Sequence, residues 1–554
     1  MNFLSKNKIS KSQEEKKKLR SDRILLVLSG ILIGISFSPF PFPFTLLLFV
    51  GFIPFLFVLE RRKTLAEINR AEFIMTFVLC LITVYWVGSW QSEADPFLMM
   101  GGGALLFALP CVLLIPTTLY YLSVKVFKPQ VAFWFFPLFW VTAEYLLTLT
   151  DLKFPWVVMG NGLAKFTIFI QAADIIGTFG LSLVVLYINL LLYKSFLYYK
   201  EKKKISFHFI LATAIFLTFI FYGFYKTSTF QTSDKKIRVG IIQPNLNPWK
   251  KWETGNLMQM VHNYLELSQK AVDGGAQIIL WPETALPVYL MSSSYIPEID
   301  TIYKFLDEND VPLLTGMPHI KFYFDSSKAP ADVKFAKEGD YYYATYNSIL
   351  LLEPGNRKFQ QYGKMQLVPL GEHVPFAEQF SFLADMFKWG VGLTGWNVGK
   401  DTTVFNTTIN IEDKRQTIKI GGLVCYESIF PIFVTSFVKR GAEFLAVVTN
   451  DSWYGNSSGP RQHRDFAIMR AVENRRTVVR CANGGISCII NPLGEIETQT
   501  DMFSEAVLVG NVGLHNENTF YTEHPSIITM LVSTISLGIV LLSIILFIKQ
   551  KFKL

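Results

Sequence analysis

A carboxylate, an ammonium and a thiol stand in three separate words of this chain, each in or just after a run of β-forming residues. They are Glu283 in ILWPET, Lys364 in YGKMQLVPLGEHVPF and Cys425 in GGLVCYESIFP. In an open α/β sheet, ligands collect outside the carboxyl ends of the strands, so residues just past a strand are favoured for function. The three groups form one chemical set: a glutamate can take the thiol proton, the thiolate can attack a carbonyl carbon, and a lysine ammonium favours both the thiolate and the oxyanion that follows. The backbone N–H of Tyr426 would be a second oxyanion donor. Singly, each residue has a plainer reading: a small core residue for the cysteine, a solvated turn residue for the glutamate and a surface position for the lysine.

These words need a sheet to hold them. Between 227 and 524, short β-rich runs alternate with helical patterns. The strands are expected at KIRVGIIQ (236–243), AQIILWP (276–282), VPLLTGM (311–317), YNSILLLEP (346–354), IKIGGLVCYE (418–427), EFLAVVTND (443–451), TVVRCAN (477–483) and GISCIINP (485–492), with helices at 256–275 and 464–476. No internal repeat is visible, and the pattern is that of one large α/β domain.

The rest of the chain is of another kind. Of its 554 residues 51% are hydrophobic, 49 are Phe and only 17% are charged, against about 25% charged in an average soluble protein. Stretches of about 20 apolar residues, enough to cross about 30 Å of hydrocarbon, fall near 24–38, 44–59, 71–90, 102–124, 130–148, 172–193, 206–225 and 526–548, which predicts about eight transmembrane helices. Pro39, Pro41 and Pro43 turn the chain between the first two. The segment 149–171, broken by Pro155 and Gly160, reads as a re-entrant or interfacial stretch, with an ordinary connecting loop as the alternative.

The formal net charge of +8 sits in short flanks of these stretches, because 227–524 holds 27 Lys/Arg against 32 Asp/Glu. That placement implies no nucleic-acid partner and suits membrane orientation instead. With the N-terminus cytoplasmic, the inside segments carry 22 Lys/Arg, and the outside short loops carry only Lys153 and Lys165. The expected organisation is a basic cytoplasmic tail at 1–23, a seven-helix membrane domain at 24–226, an extracytoplasmic catalytic domain at 227–524, and a last helix with a basic cytoplasmic tail at 525–554.

In order, the words WPETALP, YGKMQLVPLGEHVPF and CYESIFP, followed by NDSWYG (450–455) and VENRRTVVRCANGGISCIINPLGEI (472–496), resemble the nitrilase superfamily of carbon–nitrogen hydrolases. The spans on either side narrow the resemblance to its membrane-embedded branch, the apolipoprotein N-acyltransferases. The resemblance implies an extracytoplasmic α-β-β-α sandwich carried by a polytopic α-helical membrane domain. By position it makes Glu283 the general base, Lys364 the oxyanion lysine, Cys425 the nucleophile and Glu372 a second acid near them. Trp252, Tyr426, Glu427 and Trp453 fall on positions associated with the site. Ion-pair partners remain the alternative for Glu372 and Glu427, and packing residues for the two tryptophans.

The resemblance further implies a ping-pong transfer without cofactor. An acyl chain would leave the sn-1 position of a phospholipid, expected to be phosphatidylethanolamine, for a cysteine thioester. It would pass from there to the α-amino group of a diacylglyceryl apolipoprotein, at the lipid bilayer of the bacterial inner membrane. Two rival readings stay open: a membrane-anchored amidase acting on a small amide, and a catalytically inactive lipid-binding scaffold.

Between the lysine and cysteine words lies AEQFSFLADMFKWGVGLTGWNVG (377–399). Phe380, Phe382, Leu383, Met386, Phe387 and Trp389 would be an aggregation hazard on a soluble surface but suit a lid lying among acyl chains. The alternative is that the segment folds back as core. His373 and His463 lie near the motifs without a second histidine or carboxylate at ligand spacing, so no metal is expected. Cys481 and Cys488 flank an Asn-Gly-Gly turn and read as two small strand residues, with a disulfide as the lesser alternative.

Overall fold

The computed structural model describes residues 13–251, 256–325, 327, 329, 333–337, 339–376 and 395–552. Among them, four helices are long and apolar enough to cross a bilayer: Pro96–Val124, Ala173–Lys202, Phe207–Thr229 and Ile527–Phe552. Shorter or more charged helical segments occupy the other predicted stretches. Gln13–Gly34 is charged over its first half, and Leu65–Thr83 carries Glu67, Arg70 and Glu72. The latter starts at a capping box in which Thr64 accepts from the Glu67 N–H and the Glu67 carboxylate accepts from the Thr64 N–H. The chain at 44–59 is a 3-10 turn, Phe44–Phe49, followed by the short helix Ile53–Leu59. Aromatic edges lock this half together, as where Phe52 meets Trp140 at 5.0 Å and Phe49 meets Phe169 at 5.0 Å.

The segment after residue 149 forms two buried 3-10 turns, Pro155–Val157 and Met159–Leu163, and a short helix, Thr167–Ile170. Its backbone needs partners inside the protein. Met159 N–H donates to Glu144 (2.8 Å) and Gly160 N–H to Ser182 (2.8 Å).

Among the described residues thirteen strands build the other half: β1 Lys236–Gln243, β2 Ile278–Trp281, β3 Leu313–Tyr323, β4 Lys334–Ala336, β5 Tyr341–Glu353, β6 Asn356–Gly363, β7 Val404–Ile411, β8 Lys414–Val424, β9 Phe444–Thr449, β10 Val478–Ala482, β11 Cys488–Ile490, β12 Ile496–Gln499 and β13 Ala506–Gly513. One sheet runs β13-β1-β2-β3-β5-β4 with β6 added on β5, and the other runs β12-β11-β10-β9-β8-β7. Strands β1, β2 and β3 are parallel, as are β8, β9 and β10.

Alternate side chains sort to opposite faces of each strand. Ile237, Val239, Ile241 and Leu280 therefore pack toward Ile420, Val424 and Val448 of the second sheet. Ile242, Ile279 and Trp281 face outward onto the helices Leu257–Asp273 and Ile296–Asn309. On the far side, Gly459–Asn474 packs between the second sheet and the membrane helix Ala173–Lys202. The result is an α-β-β-α sandwich seated on a helical base.

One strand boundary needs correction. The strand predicted over 418–427 stops at Val424, and Cys425–Ile429 is a 3-10 turn. Cys481 and Cys488 are both free and buried. Cys488 pairs with Arg480 across the hairpin, so Cys481 sits one position out of register, on the opposite face.

Candidate active site

Strands that run in one direction deliver the reactive groups to one edge. Glu283 follows β2, Cys425 follows β8, Asn450 follows β9, and Lys364 follows β6, which antiparallel pairing through β5 makes parallel to β3. The backbone at Lys364 is pinned on both sides, its N–H donating to Asn347 O (2.8 Å) and its carbonyl accepting from Gly399 (2.9 Å). Cys425 has φ +50°, a left-handed conformation that costs a residue with a Cβ about 1–2 kcal/mol.

Surrounding bonds hold that conformation. The buried Glu427 carboxylate accepts from Val424 N–H (2.8 Å), Met365 N–H (2.6 Å), Gln366 N–H (3.1 Å) and the Tyr362 hydroxyl (2.6 Å). It thereby ties the residue before the cysteine to the two residues after Lys364. Burial, against these donors, lifts the Glu427 carboxyl to about 7.

The side chains converge. Lys364 Nζ lies 2.8 Å from the Glu372 carboxylate and 3.4 Å from Glu283 Oε1. Glu283 Oε1 also accepts from Asn347 Nδ2 (2.8 Å), and its Oε2 from the Asn450 N–H (3.0 Å). The Cys425 thiol hydrogen-bonds to Glu283. Asn347 reaches Glu372 as well (3.0 Å).

Burial pushes the Glu283 carboxyl above its ordinary range despite Lys364. Burial opposes the Lys364 ammonium, but Glu372 and Glu283 outweigh it and hold the group charged. Burial, then the charge on Glu283, raises the Cys425 thiol. The resting sulfur is therefore a thiol, with an acceptor for its proton in contact.

Two cavities meet at Cys425. The smaller, of about 120 Å³, is lined by the charged groups Glu283, Lys364 and Glu372, by Asn347 and Trp453, and by Asp95 and Leu98 from the helical half. The second, about 430 Å³, is walled by Trp86, Gly101, Leu105, Leu109, Leu147 and Tyr426. Its walls are mostly apolar, and they belong to segments on both sides of the residue-149 turn.

Of the other sequence-derived candidates, Tyr426 is buried with its hydroxyl on Lys153 O (2.7 Å) and its ring stacked on Trp156 at 6.5 Å. Trp453 is half-buried, edge-on to Trp249 at 4.8 Å. Glu427 is a buttress beneath the cavities and lines neither. Trp252, Phe380, Phe382, Leu383, Met386, Phe387 and Trp389 lie outside the described residues. His373 sits 3.3 Å from Asp151.

Sequence reasoning missed Asn347, whose signal was a polar residue at an inward position of an apolar strand. It also missed Lys251, which is buried against the Thr284 carbonyl and whose ammonium burial pulls down to about 7. Sequence spacing offered His463 no carboxylate, yet the fold places Asp451 Oδ1 2.9 Å from its Nδ1 and Arg480 3.1 Å from the same nitrogen. Cys425, Asp451 and His463 come close enough to offer a cation three ligands, but the Arg480 guanidinium already sits on Asp451. Burial would raise the Asp451 carboxyl, and Arg480 and His463 hold it well below the usual range.

A Glu-Lys-Cys cluster at the strand ends of a two-sheet sandwich defines a nitrilase-type acyl-transfer enzyme, and residues 238–518 match the carbon–nitrogen hydrolase family. Residues 29–191 match the apolipoprotein N-acyltransferase N-terminal domain. The apolipoprotein N-acyltransferase of Chlorobaculum tepidum is 31% identical over 91% of this chain and 93% of its own length. That of Geobacter metallireducens is 30% identical over 91% and 92%. Among solved structures, the carbon–nitrogen hydrolase of Helicobacter pylori covers 53% of this chain and 92% of its own, at 14% identity and a TM-score of 0.35. The chain belongs to the apolipoprotein N-acyltransferase family.

Proposed function

We propose that Cys425 carries an acyl chain from the sn-1 ester of a membrane phospholipid, phosphatidylethanolamine as the expected donor, to the α-amino group of an S-diacylglyceryl cysteine. Family membership makes the chain an acyltransferase of lipoprotein N-acylation. The observation that carries the residue assignment is the position of Cys425, which borders both the cavity that holds the charged groups and the larger apolar one. A nucleophile so placed can have an ester carbonyl over its sulfur and a hydrocarbon chain in the adjoining space.

In the first step Glu283 takes the thiol proton as sulfur adds to the ester carbon, and Lys364 stabilises the oxyanion. Collapse breaks the ester C–O bond, and the proton on Glu283 goes to the departing glycerol oxygen, giving a lysophospholipid and a thioester. In the second step the amine adds to the thioester, Glu283 takes its proton, and collapse returns that proton to the departing sulfur. Glu372 keeps Lys364 charged throughout.

The basic flanks support a topology of eight spans, both termini cytoplasmic and the sandwich on the outer face of the inner membrane. In this reading the apolar segment around Phe387 and Trp389 is a lid. Replacing both by Ser should slow acylation by membrane phospholipid more than by a short soluble ester, and equal loss on both counts against the lid.

Incubation of the purified protein with acyl-labelled phospholipid is the direct test. A hydroxylamine-labile acyl-protein that is absent in Cys425→Ala supports the transfer. Ammonia release from simple amides without acylation supports an amidase, and neither outcome leaves a scaffold.

A further inference from the structure

The nucleophile's own peptide unit is gripped from behind by residues the proposed chemistry does not use. The Cys425 carbonyl accepts from Ser428 Oγ (2.8 Å) and lies 3.1 Å from His463 Nε2, which is itself 2.9 Å from Ser428 Oγ. His463 is buried on the helix Gly459–Asn474. Behind it stand Asp451 and the fully buried Arg480 of β10. In front, Trp156 of the residue-149 segment tilts against its ring at 5.8 Å, with its indole N–H bonded to the neighbouring Gln462 (2.6 Å).

The proton on this ring can be placed from its neighbours. A carbonyl oxygen only accepts, and the Ser428 hydroxyl beside it already donates to that same carbonyl, so both contacts of Nε2 call for the hydrogen on that nitrogen. With the hydrogen on Nε2, Nδ1 accepts from Arg480, and Arg480 in turn holds the Asp451 carboxylate beside the ring. Burial and Arg480 both disfavour the imidazolium. The ring therefore stands neutral and donates to the Cys425 carbonyl.

The C=O of residue 425 and the N–H of residue 426 belong to one planar trans peptide and point in opposite directions. Fixing the first aims the second. We propose that His463, set by Arg480 and Asp451, is a positioning residue that holds the Cys425–Tyr426 peptide in its left-handed conformation, so that the Tyr426 N–H points at the oxyanion formed over Cys425. It acts through the nucleophile's own backbone, and its ring also borders the apolar cavity. The inference rests on Cys425 forming the acyl-enzyme, as proposed above.

It separates two reactions of one sulfur. Acylation passes through an oxyanion and needs the Tyr426 donor, whereas alkylation by iodoacetamide displaces a halide, forms no oxyanion and needs only the thiol. In full-length protein in phospholipid bilayers, His463→Leu should lower the rate of acyl-enzyme formation about a hundredfold, the loss typical of one oxyanion donor. The rate of Cys425 alkylation should stay at the wild-type value. His463→Gln, whose amide nitrogen can reach the position of Nε2, should recover most of the acylation rate.

Parallel loss of acylation and alkylation would reduce His463 to a packing residue, as would wild-type acylation in His463→Leu or failure of the Gln variant to exceed Leu. If His463→Leu does not fold, the comparison of His463→Gln with His463→Asn, whose shorter amide cannot reach the carbonyl, decides the question in the same way. Failure of wild-type protein to acylate at all would instead overturn the role of Cys425, so the two failures are distinct.

Discussion

Two of the buried charge clusters in this molecule are arranged to opposite ends. At the seam between the sandwich and the helical base, all five guanidinium donors of Arg475 are used. They reach Asp174 (2.8 and 3.2 Å), the Gln171 side chain (2.6 Å), the Gln171 carbonyl (3.0 Å) and the Pro492 carbonyl (3.0 Å). At the strand ends, one ammonium stands between two carboxylates beside a thiol, and two cavities open onto them. A buried ion whose every donor is met joins two halves of a protein. A cluster with charge left over and space beside it is able to respond when new charge forms there.

Neutralising the base at the site should give the largest effect if this contrast holds. Glu283→Gln keeps the shape and can still accept the Asn450 N–H, but it cannot take a proton from sulfur. Acyl-enzyme formation should fall by about 10²–10⁴-fold with the thermal midpoint unchanged. A variant that loses stability in step with activity would make the site cluster structural like the seam, and the contrast would be lost. At the seam the ordering should reverse. Arg475→Met leaves Asp174 buried without its guanidinium, and breaking such a pair costs about 3–5 kcal/mol. The thermal midpoint should drop while each surviving folded molecule acylates at the normal rate; a selective loss of rate would instead tie the seam to the chemistry.

Acidity sharpens the comparison further. Glu283 works only when ionised, and burial lifts its carboxyl above the ordinary range. The acylation rate should therefore fall, as pH decreases, at a value higher than a solvated glutamate would give. The charge on Glu372 contributes to that lift. Removing it in Glu372→Gln favours the ionised form of Glu283, so the acid limb of the pH–rate profile should move to lower pH. A limb that stays in place would mean that Glu283 is not the titrating base.

What could be read from sequence differed between these places for a physical reason. Glu283, Lys364 and Cys425 were legible because each follows a run of apolar β-formers, and a reactive residue in that position stands out. The inner strands were legible on the same ground. Asn356–Gly363 and Val404–Ile411 were not, because their residues alternate with exposed polar ones and carry no continuous apolar run.

The helix Gly459–Asn474 was legible as a helix over 464–476, but periodicity could not say which of its residues are buried. Its buried residues include Gln462, His463, Asp465, Arg470, Glu473 and Asn474, because protein covers it from both sides, sheet on one and membrane helix on the other. Periodicity reports an apolar face, and here the partners are hydrogen-bonding groups that only the fold brings near. His463 was seen and set aside for lack of a neighbour in sequence, and Asp451 and Arg480 reach it only through the packing of β9 and β10.

The smallest expected effect concerns the open side of the site. In the helix that begins at Pro96, adjacent glycines have opposite surroundings. A Cβ at Gly102 would lie 2.3 Å from Gly88 Cα, so that position is closed by a neighbouring backbone, whereas a Cβ at Gly101 would meet nothing within 4 Å. Gly101 lines the apolar cavity beside Cys425. Gly101→Leu should therefore insert into the cavity without disturbing its walls, and the gain of about 0.8–1 kcal/mol in helix propensity on leaving glycine works against any loss of folding. If an acyl chain occupies that space, the rate with long-chain phospholipid should fall about tenfold, the scale on which a small change in an apolar pocket discriminates. A short-chain ester should react as before. Equal rates for wild type and Gly101→Leu on both substrates would mean that the chain runs elsewhere, and the open side of the site would then need another occupant.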